Sequence, residues 1–103
     1  MAKLERDMSG AVERIGALLE MHLAKAKGWE LGAVEREAGS IEAYVLVGFG
    51  RSPAHIRFDL STATNGLTRV QAGVKAKSRF SSERGCLALA HVVLDAIAAK
   101  SSS

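Results

Sequence analysis

Three histidines and one cysteine are the side chains of this sequence best suited to metal binding or catalysis: His22, His55, His91 and Cys86. Structural and catalytic zinc sites draw on three or four such ligands, usually with two of them close together in the chain. No two of these histidines lie three or four positions apart, and neither an HExxH nor a CxxC motif occurs. The sequence therefore predicts no metal site and no bound cofactor.

The same residues do not form a catalytic group with their neighbours in the chain. Cys86 falls near the start of a predicted helix, but on its apolar face, where an unpaired cysteine is typically a buried core residue. His22 lies in the middle of an apolar stripe, a position typical of a hydrogen-bonded core histidine as well as of a base. Because the acidic residues are scattered and no nucleophile motif surrounds the serines, we expect a protein that is not an enzyme.

Two helical segments frame the chain. Residues 3–26 place Leu4, Met8, Ile15 and Leu19 among apolar positions three or four apart, which predicts a helix ended by Gly28. Two glycines inside this segment favour a start nearer Ser9. A second helix is predicted from Ser81 or Ser82, whose hydroxyl would cap it, to about residue 100.

Between the helices the period changes to two, which indicates strands. Alternating segments occupy residues 29–34, 41–49, 55–60 and 69–76, and Asn65-Gly66 is a strong hairpin signal between the last two. Short connections favour antiparallel neighbours. We therefore predict an α+β fold: a two-layer sandwich of a four-stranded antiparallel meander with two helices on one face, in αββββα order.

Length and composition are those of one small globular domain. The chain has 103 residues, of which 48% are hydrophobic and 24% charged, with a net charge of +3. We expect one domain over residues 1–103, with 1–3 and 100–103 frayed. No apolar run is long enough to span a bilayer, and the N-terminus has no uninterrupted apolar stretch of a signal peptide, so we expect a cytoplasmic protein without membrane contact.

Helices on one face would leave the other face of the sheet open, and we look for function there. Its apolar centre would be Val34, Tyr44 and Leu46. The predicted partner-binding residues of this face are Val34, Glu42, Tyr44, Leu46, Arg57, Arg69 and Lys75. We predict a non-enzymatic binding or assembly module, a homodimer through this open face or through a strand edge, or a binder of another protein.

Two alternatives remain open. A small apolar ligand could occupy a pocket between sheet and helices, lined by His22, Trp29, Phe49 and Phe58. A nucleic acid could bind weakly to the basic sheet face, because residues 51–84 hold seven Lys or Arg against two acidic residues. The first alternative predicts stabilisation by apolar compounds, and the second predicts binding that weakens steeply with salt.

Overall fold

A computed structural model describes residues 3–46, 53–76 and 82–102 of the chain. It has an α+β fold, as predicted, with two helices and an antiparallel sheet of five strands where the sequence predicted four. The elements follow in the order β1 (Lys3–Ser9), α1 (Val12–Lys25), β2 (Trp29–Glu35), β3 (Ser40–Val45), β4 (Ala54–Thr62), β5 (Leu67–Ala76) and α2 (Glu83–Ser101).

The additional strand, β1, occupies the first part of the segment predicted as a helix over 3–26. Leu4 and Met8 are four positions apart, a spacing that fits one helix face and equally one face of a strand, because four is also a multiple of two. The exposed Glu5 and Asp7 between them follow the strand period. Gly10, with φ of +131°, then turns the chain into α1, so the helix begins near the later start that the glycines favoured.

Both helices bury one apolar stripe and have recognisable ends. Ile15, Leu19 and Leu23 are the buried residues of α1, which stops before Gly28 as predicted. The hydroxyl of Ser82 caps α2 by accepting a hydrogen bond of 3.0 Å from the Gly85 amide. This helix continues to the buried Ser101, which lies within the stretch expected to fray.

The strands are arranged in the order β1-β5-β4-β3-β2, and every neighbouring pair is antiparallel. The four strands from β2 to β5 form the predicted meander, and a short turn at Asn65-Gly66 connects β4 to β5. β1 adds to the far side of β5. The sheet therefore has β1 at one edge and β2 at the other.

The core lies between one face of the sheet and the two helices. Alternate residues of the strands, among them Ile56, Phe58 and Val70, are fully buried against Leu19 and Leu94 of the helices. Burial of each such side chain contributes about 1.5–3 kcal/mol. The opposite sheet face carries the intervening polar residues and is uncovered within the described part of the chain. This arrangement leaves two surfaces for a partner: the outer sheet face and the edges.

Candidate functional site

The outer face of the sheet carries charges of both signs in cross-strand contact. Arg69 Nε lies 2.9 Å from Asp7 Oδ1 and 3.1 Å from Glu5 Oε1, both on β1. Arg57 Nε donates to Asp59 Oδ1 at 3.0 Å. The predicted basic sheet face is thus interleaved with carboxylates, and two of them, Glu5 and Asp7, come from a strand that the sequence had placed in a helix. The hydrogen bond that Arg69 donates to Asp7, and then the negative charge of Asp7, raises the pKa of Arg69.

Glu42 is the acidic centre of this face. Lys75 Nζ donates a hydrogen bond of 2.8 Å to Glu42 Oε1. This bond is the main cause that lowers the pKa of Glu42, with further contributions from the positive charges of Lys75, His55 and Arg57. His55 Nε2 is also 2.9 Å from Glu42 Oε1, but the buried ring nitrogen is not oriented to form a hydrogen bond with it.

Tyr44 is packed more tightly than an exposed anchor would be. Its ring stacks on the His55 ring with centroids 4.5 Å apart and planes inclined by 22°. The ring also lies close to Gly32, where an added Cβ would be only 3.0 Å from Tyr44 Cε2. Tyr44 is 36% exposed, whereas Leu46 is 57% exposed. Glu42, Tyr44, Arg57, Arg69 and Lys75 therefore share the outer face, as predicted.

Val34 does not join them, and its predicted place on the outer face is wrong. Leu31 pairs with Ala43 and Val34 with Ile41, so two residues of β2 lie opposite one residue of β3 between these pairs. This β-bulge reverses the alternation of inward and outward side chains along β2. Val34 consequently packs against the core, on the same side as Leu31.

The residues predicted to line a pocket were His22, Trp29, Phe49 and Phe58, and none of the three that the structure describes lines the groove reported below. Phe58 is fully buried, and Trp29 packs against it with ring centroids 6.3 Å apart. His22 is half-buried on α1, where burial, and then the positive charge of Lys100, lowers its pKa. Phe49 lies outside the described residues. Phe58 belongs to the core and Trp29 packs against it, and a groove lined by other described residues lies elsewhere.

That groove runs between α1 and β2 and has a volume of about 460 Å³. We call it the α1–β2 groove. Its helix wall is made of small or flexible side chains, and its floor is aliphatic. The wall comprises Val12, Gly16, Ala17, Met21 and Ala24, and the floor comprises Leu31, Val34, Ile41 and Leu60. Met21 is 55% exposed and adds apolar surface to the mouth of the groove.

Charged side chains form the rim of the α1–β2 groove. Glu13, Glu20 and Glu35 contribute carboxylates, and Arg36 contributes the only guanidinium among the described lining residues. Arg36 Nη2 lies 3.2 Å from each carboxylate oxygen of Glu20. Among the described residues Glu13 has no ion pair, whereas the charge of Glu35 acts on Arg57 of the outer face, where it helps to raise the pKa of that arginine. The rim is therefore acidic, and its one cation is already paired.

The α1–β2 groove opens beside an edge of the sheet and continues beyond the helix. Among the described residues β2 pairs with β3 alone, so alternate amides and carbonyls on its other side have no strand partner. A shallower depression of about 600 Å³ extends the groove past the first turn of α1. The two share Val12, Glu13, Arg36, Gly39 and Leu60 and therefore adjoin each other, and we refer to them together as the channel.

The sequence contains a weak signal for this channel. Gly16 and Ala17 are small residues inside a helix, and an exposed Met21 cannot be distinguished from a core methionine by its spacing. An added Cβ at Gly16 would reach only ordinary contact, 3.7 Å from Leu60 Cδ2. Gly16 thus leaves space beside the sheet that a larger side chain would fill.

The described residues include no group of three or more His, Cys, Asp or Glu that could hold a metal ion. Neither described helix is long and apolar enough to cross a membrane. The site is thus defined by shape, apolar surface and charge.

Comparison with known proteins identifies a shared fold. No protein family matches the sequence, and no curated protein does. An uncharacterised protein of Bacillus thuringiensis has a similar structure, with a TM-score of 0.60 and 9% identity, over 99% of this chain and 98% of that one. A Chromobacterium violaceum protein is similar over 99% and 97% of the two chains, with a TM-score of 0.59 and 14% identity. At these identities the likeness is one of fold alone.

Proposed function

We propose that this protein is a non-enzymatic binding module that holds an extended segment of another polypeptide along β2, with alternate side chains of that segment in the α1–β2 groove. The observation that carries the proposal is the position of an apolar groove directly beside a sheet edge without a strand partner. Strand addition of this kind combines main-chain hydrogen bonds, which give affinity, with side-chain pockets, which give specificity.

The chemistry of the edge supports an extended occupant. Alternate amides and carbonyls of β2 point away from β3 and are suited to a sixth strand. Leu31 and Val34 both face the groove because the bulge turns Val34 inward. A segment paired with β2 would lay every second side chain over these residues and against Ala17 and Met21.

The length of the channel also supports an extended polypeptide as its occupant. The α1–β2 groove and its shallower extension run from Ala24 on the helix to Thr68 at the start of β5. A compact ligand would fill one part of this channel, whereas a strand of several residues would follow it. The bulge lies in β2, the edge strand itself, and interrupts its regular alternation. Because a bulge restricts which strands can pair with an edge, we expect binding to be selective.

The outer sheet face is a less favourable interface. Its arginines and lysine already contact carboxylates, and burial of these pairs in an interface would cost their solvation. Tyr44, expected as an anchor, is held by His55 and Gly32. We therefore place the partner at the β2 edge, the second of the two surfaces expected from the sequence.

A library of random twelve-residue peptides displayed on phage tests the proposal. Peptides selected on the full-length protein should contain alternating apolar residues. They should bind an Ala88→Trp variant but lose at least tenfold in affinity for Ala17→Trp. Both alanines are exposed on helices, and only Ala17 lines the groove, so the pair is matched. Failure to enrich any peptide, or equal binding to both variants, would contradict the proposal.

A second copy of the chain is one possible source of the extended segment, and solution mass tests it. Light scattering over a concentration series should give a mass near twice 10.9 kDa if β2 pairs with β2 of another copy. A mass that stays near 10.9 kDa at every concentration would end the homodimer prediction and leave the edge for a different chain.

A small apolar ligand is a second candidate occupant of the same groove. Its volume, about 460 Å³, lies in the range of small-molecule sites, and its walls are mostly apolar. The neutral dye N-phenyl-1-naphthylamine is a suitable probe. Saturable fluorescence enhancement that Ala17→Trp removes and Ala88→Trp retains would support this candidate. Absence of enhancement would count against it.

Nucleic-acid binding stays a prediction with weaker support. The basic residues on the outer face are in contact with Glu5, Asp7, Asp59 and Glu42, which reduces the positive potential offered to phosphates. Titration with a labelled single strand at low and high salt is the corresponding test, because phosphate contacts make affinity fall steeply with salt.

A further inference from the structure

We infer that Gly16 sets the class of residue that anchors the bound segment: it opens a slot between α1 and Leu60 that accepts one long aliphatic or aromatic side chain, that of Leu, Met or Phe. This inference rests on the proposed function and adds the chemical class of the anchor residue. It follows from a glycine inside a helix that neither the backbone nor the packing of the fold requires.

The backbone of α1 does not need a glycine at position 16. The described glycines with a positive φ, which would strain any other residue, are Gly10, Gly28, Gly39 and Gly66. Gly16 is not among them and lies in the second turn of α1, where glycine weakens a helix relative to alanine. The local sequence therefore works against the helix at this point, and such a departure is expected where a residue serves binding.

Packing does not require a glycine at this position either. A Cβ added at Gly16 would lie 3.7 Å from Leu60 Cδ2, which is an ordinary van der Waals contact. At Gly32, by contrast, an added Cβ would lie 3.0 Å from the carbonyl oxygen of Glu42, so glycine is needed where β2 and β3 approach each other. An alanine would fit at position 16 and would strengthen α1. We therefore attribute the missing methyl group to the groove.

The space left at Gly16 belongs to the α1–β2 groove and is apolar. Gly16 faces a floor that includes Leu31, Val34 and Leu60, and the first two of these are only half-buried. The groove volume, about 460 Å³, is in the range of sites that hold a whole small molecule, so a long side chain fits into it. A long aliphatic or aromatic side chain gains most from this surface, because the gain scales with the apolar area that is buried.

The β2 edge directs a side chain of an added strand towards the groove. The Leu46 amide donates a hydrogen bond of 3.1 Å to the Gly28 carbonyl, so Gly28 is a bonded position of the pair that β2 forms with β3. Because bonded and non-bonded positions alternate in an antiparallel pair, the main-chain groups of Leu31 point away from β3. A residue that bonds to them has its side chain on the same face as Leu31, which is the groove side. The edge and the slot thus act on the same segment.

Parallel selections from the twelve-residue peptide library on the full-length wild type, Gly16→Ala and Gly73→Ala test this inference. Wild-type peptides, aligned on their alternating apolar residues, should share one position occupied by Leu, Met or Phe. Gly16→Ala should shift that position towards Ala and Val. It should also weaken the binding of a peptide selected on the wild type by roughly three- to tenfold, as expected when about one methylene group of buried contact is lost. The same substitution should raise the urea midpoint of unfolding, which a damaged fold would not do.

Gly73→Ala is the matched control. Gly73 also lacks a positive φ, and an added Cβ would lie 4.0 Å from Lys3 Cγ, but this glycine is on the outer face of β5 and does not line the groove. The control should leave the selected residues unchanged, and an equal shift in it would overturn the inference. The same large residue in the wild-type and Gly16→Ala pools, with equal affinity, would overturn the inference while leaving the proposed function intact, provided that Ala17→Trp still prevents binding. A selection that enriches no peptide on any version would overturn both.

Discussion

Arg36, in the turn after β2, reaches the carboxylate of Glu20 on α1 and lies 3.2 Å from both of its oxygens. This contact connects the two walls of the α1–β2 groove at its rim. The Arg36 side chain is 79% exposed, so the pair is screened by solvent and adds little to stability. On our account, this contact matters because it restricts access to the groove at its rim.

Arg36→Gln should therefore strengthen the binding of a selected groove peptide several-fold while changing the free energy of unfolding by less than about 1 kcal/mol. The variant removes the contact that joins the two walls at the rim, so the groove is easier to enter. Fluorescence anisotropy with a labelled peptide and urea denaturation measure the two quantities. Arg57→Gln is the control, since Arg57 is an exposed arginine paired with Asp59 on the outer face. An equal gain in that control would show that only the net charge of the protein matters.

Gly39 fixes the turn that carries Arg36, and Gly39→Ala should destabilise the fold by about 1–3 kcal/mol. Its φ is +68°, and an added Cβ would lie 2.6 Å from the carbonyl oxygen of Leu60. Gly28→Ala is a matched substitution with φ of +87° but nothing within 4 Å, so it should cost only the backbone strain, about 1 kcal/mol. Denaturant unfolding compares them. Equal losses would contradict the close approach to Leu60.

Tyr44→Ala should destabilise the protein by about 1–2 kcal/mol, because it removes the stack on His55 and uncovers the backbone at Gly32. Leu46→Ala, at the more exposed neighbour on the same face, should change stability by no more than about 0.5 kcal/mol. Urea midpoints of the two variants give the comparison. A larger loss for Leu46 would indicate that this face is covered in solution.

Glu42 should make the free energy of unfolding depend on pH. Its pKa is lowered below 4.5 in the folded protein, chiefly by the hydrogen bond from Lys75. The unfolded chain therefore binds the proton more readily, and stability present above about pH 4.5 is lost as the pH falls through the folded-state pKa. Unfolding curves of Glu42→Gln between pH 3 and 6 should show a shallower loss than wild type. An unchanged slope would exclude Glu42 as a source of the acid sensitivity.

The sequence predicted the parts of the fold in which local signals agree with one another. Ser82 at the start of α2 and Asn65-Gly66 between β4 and β5 are where they were expected. β1 was missed because Leu4 and Met8 satisfy both helical and strand spacing. The inward direction of Val34 depends on a bulge created by pairing with β3, which the sequence of β2 alone does not specify.

The candidate site was less predictable than the fold. The aromatic residues Trp29 and Phe58 suggested a pocket, but they pack against each other in the core. The groove arises instead beside the small side chains of Gly16 and Ala17. A small side chain leaves a groove only where the opposite element is held at the right distance, and the sequence does not specify that distance. Cross-strand pairing also changed the character of the outer face, because β1 brings Asp7 to Arg69.

Amide hydrogen exchange of the protein with and without a selected peptide tests the central claim most directly. The amides of β2 that point away from β3 should exchange at least tenfold more slowly in the complex, and this protection should be absent for Ala17→Trp. Such a result would place the added strand at β2. Protection confined to β1 at the opposite edge, or no change at β2 under saturating peptide, would contradict the account.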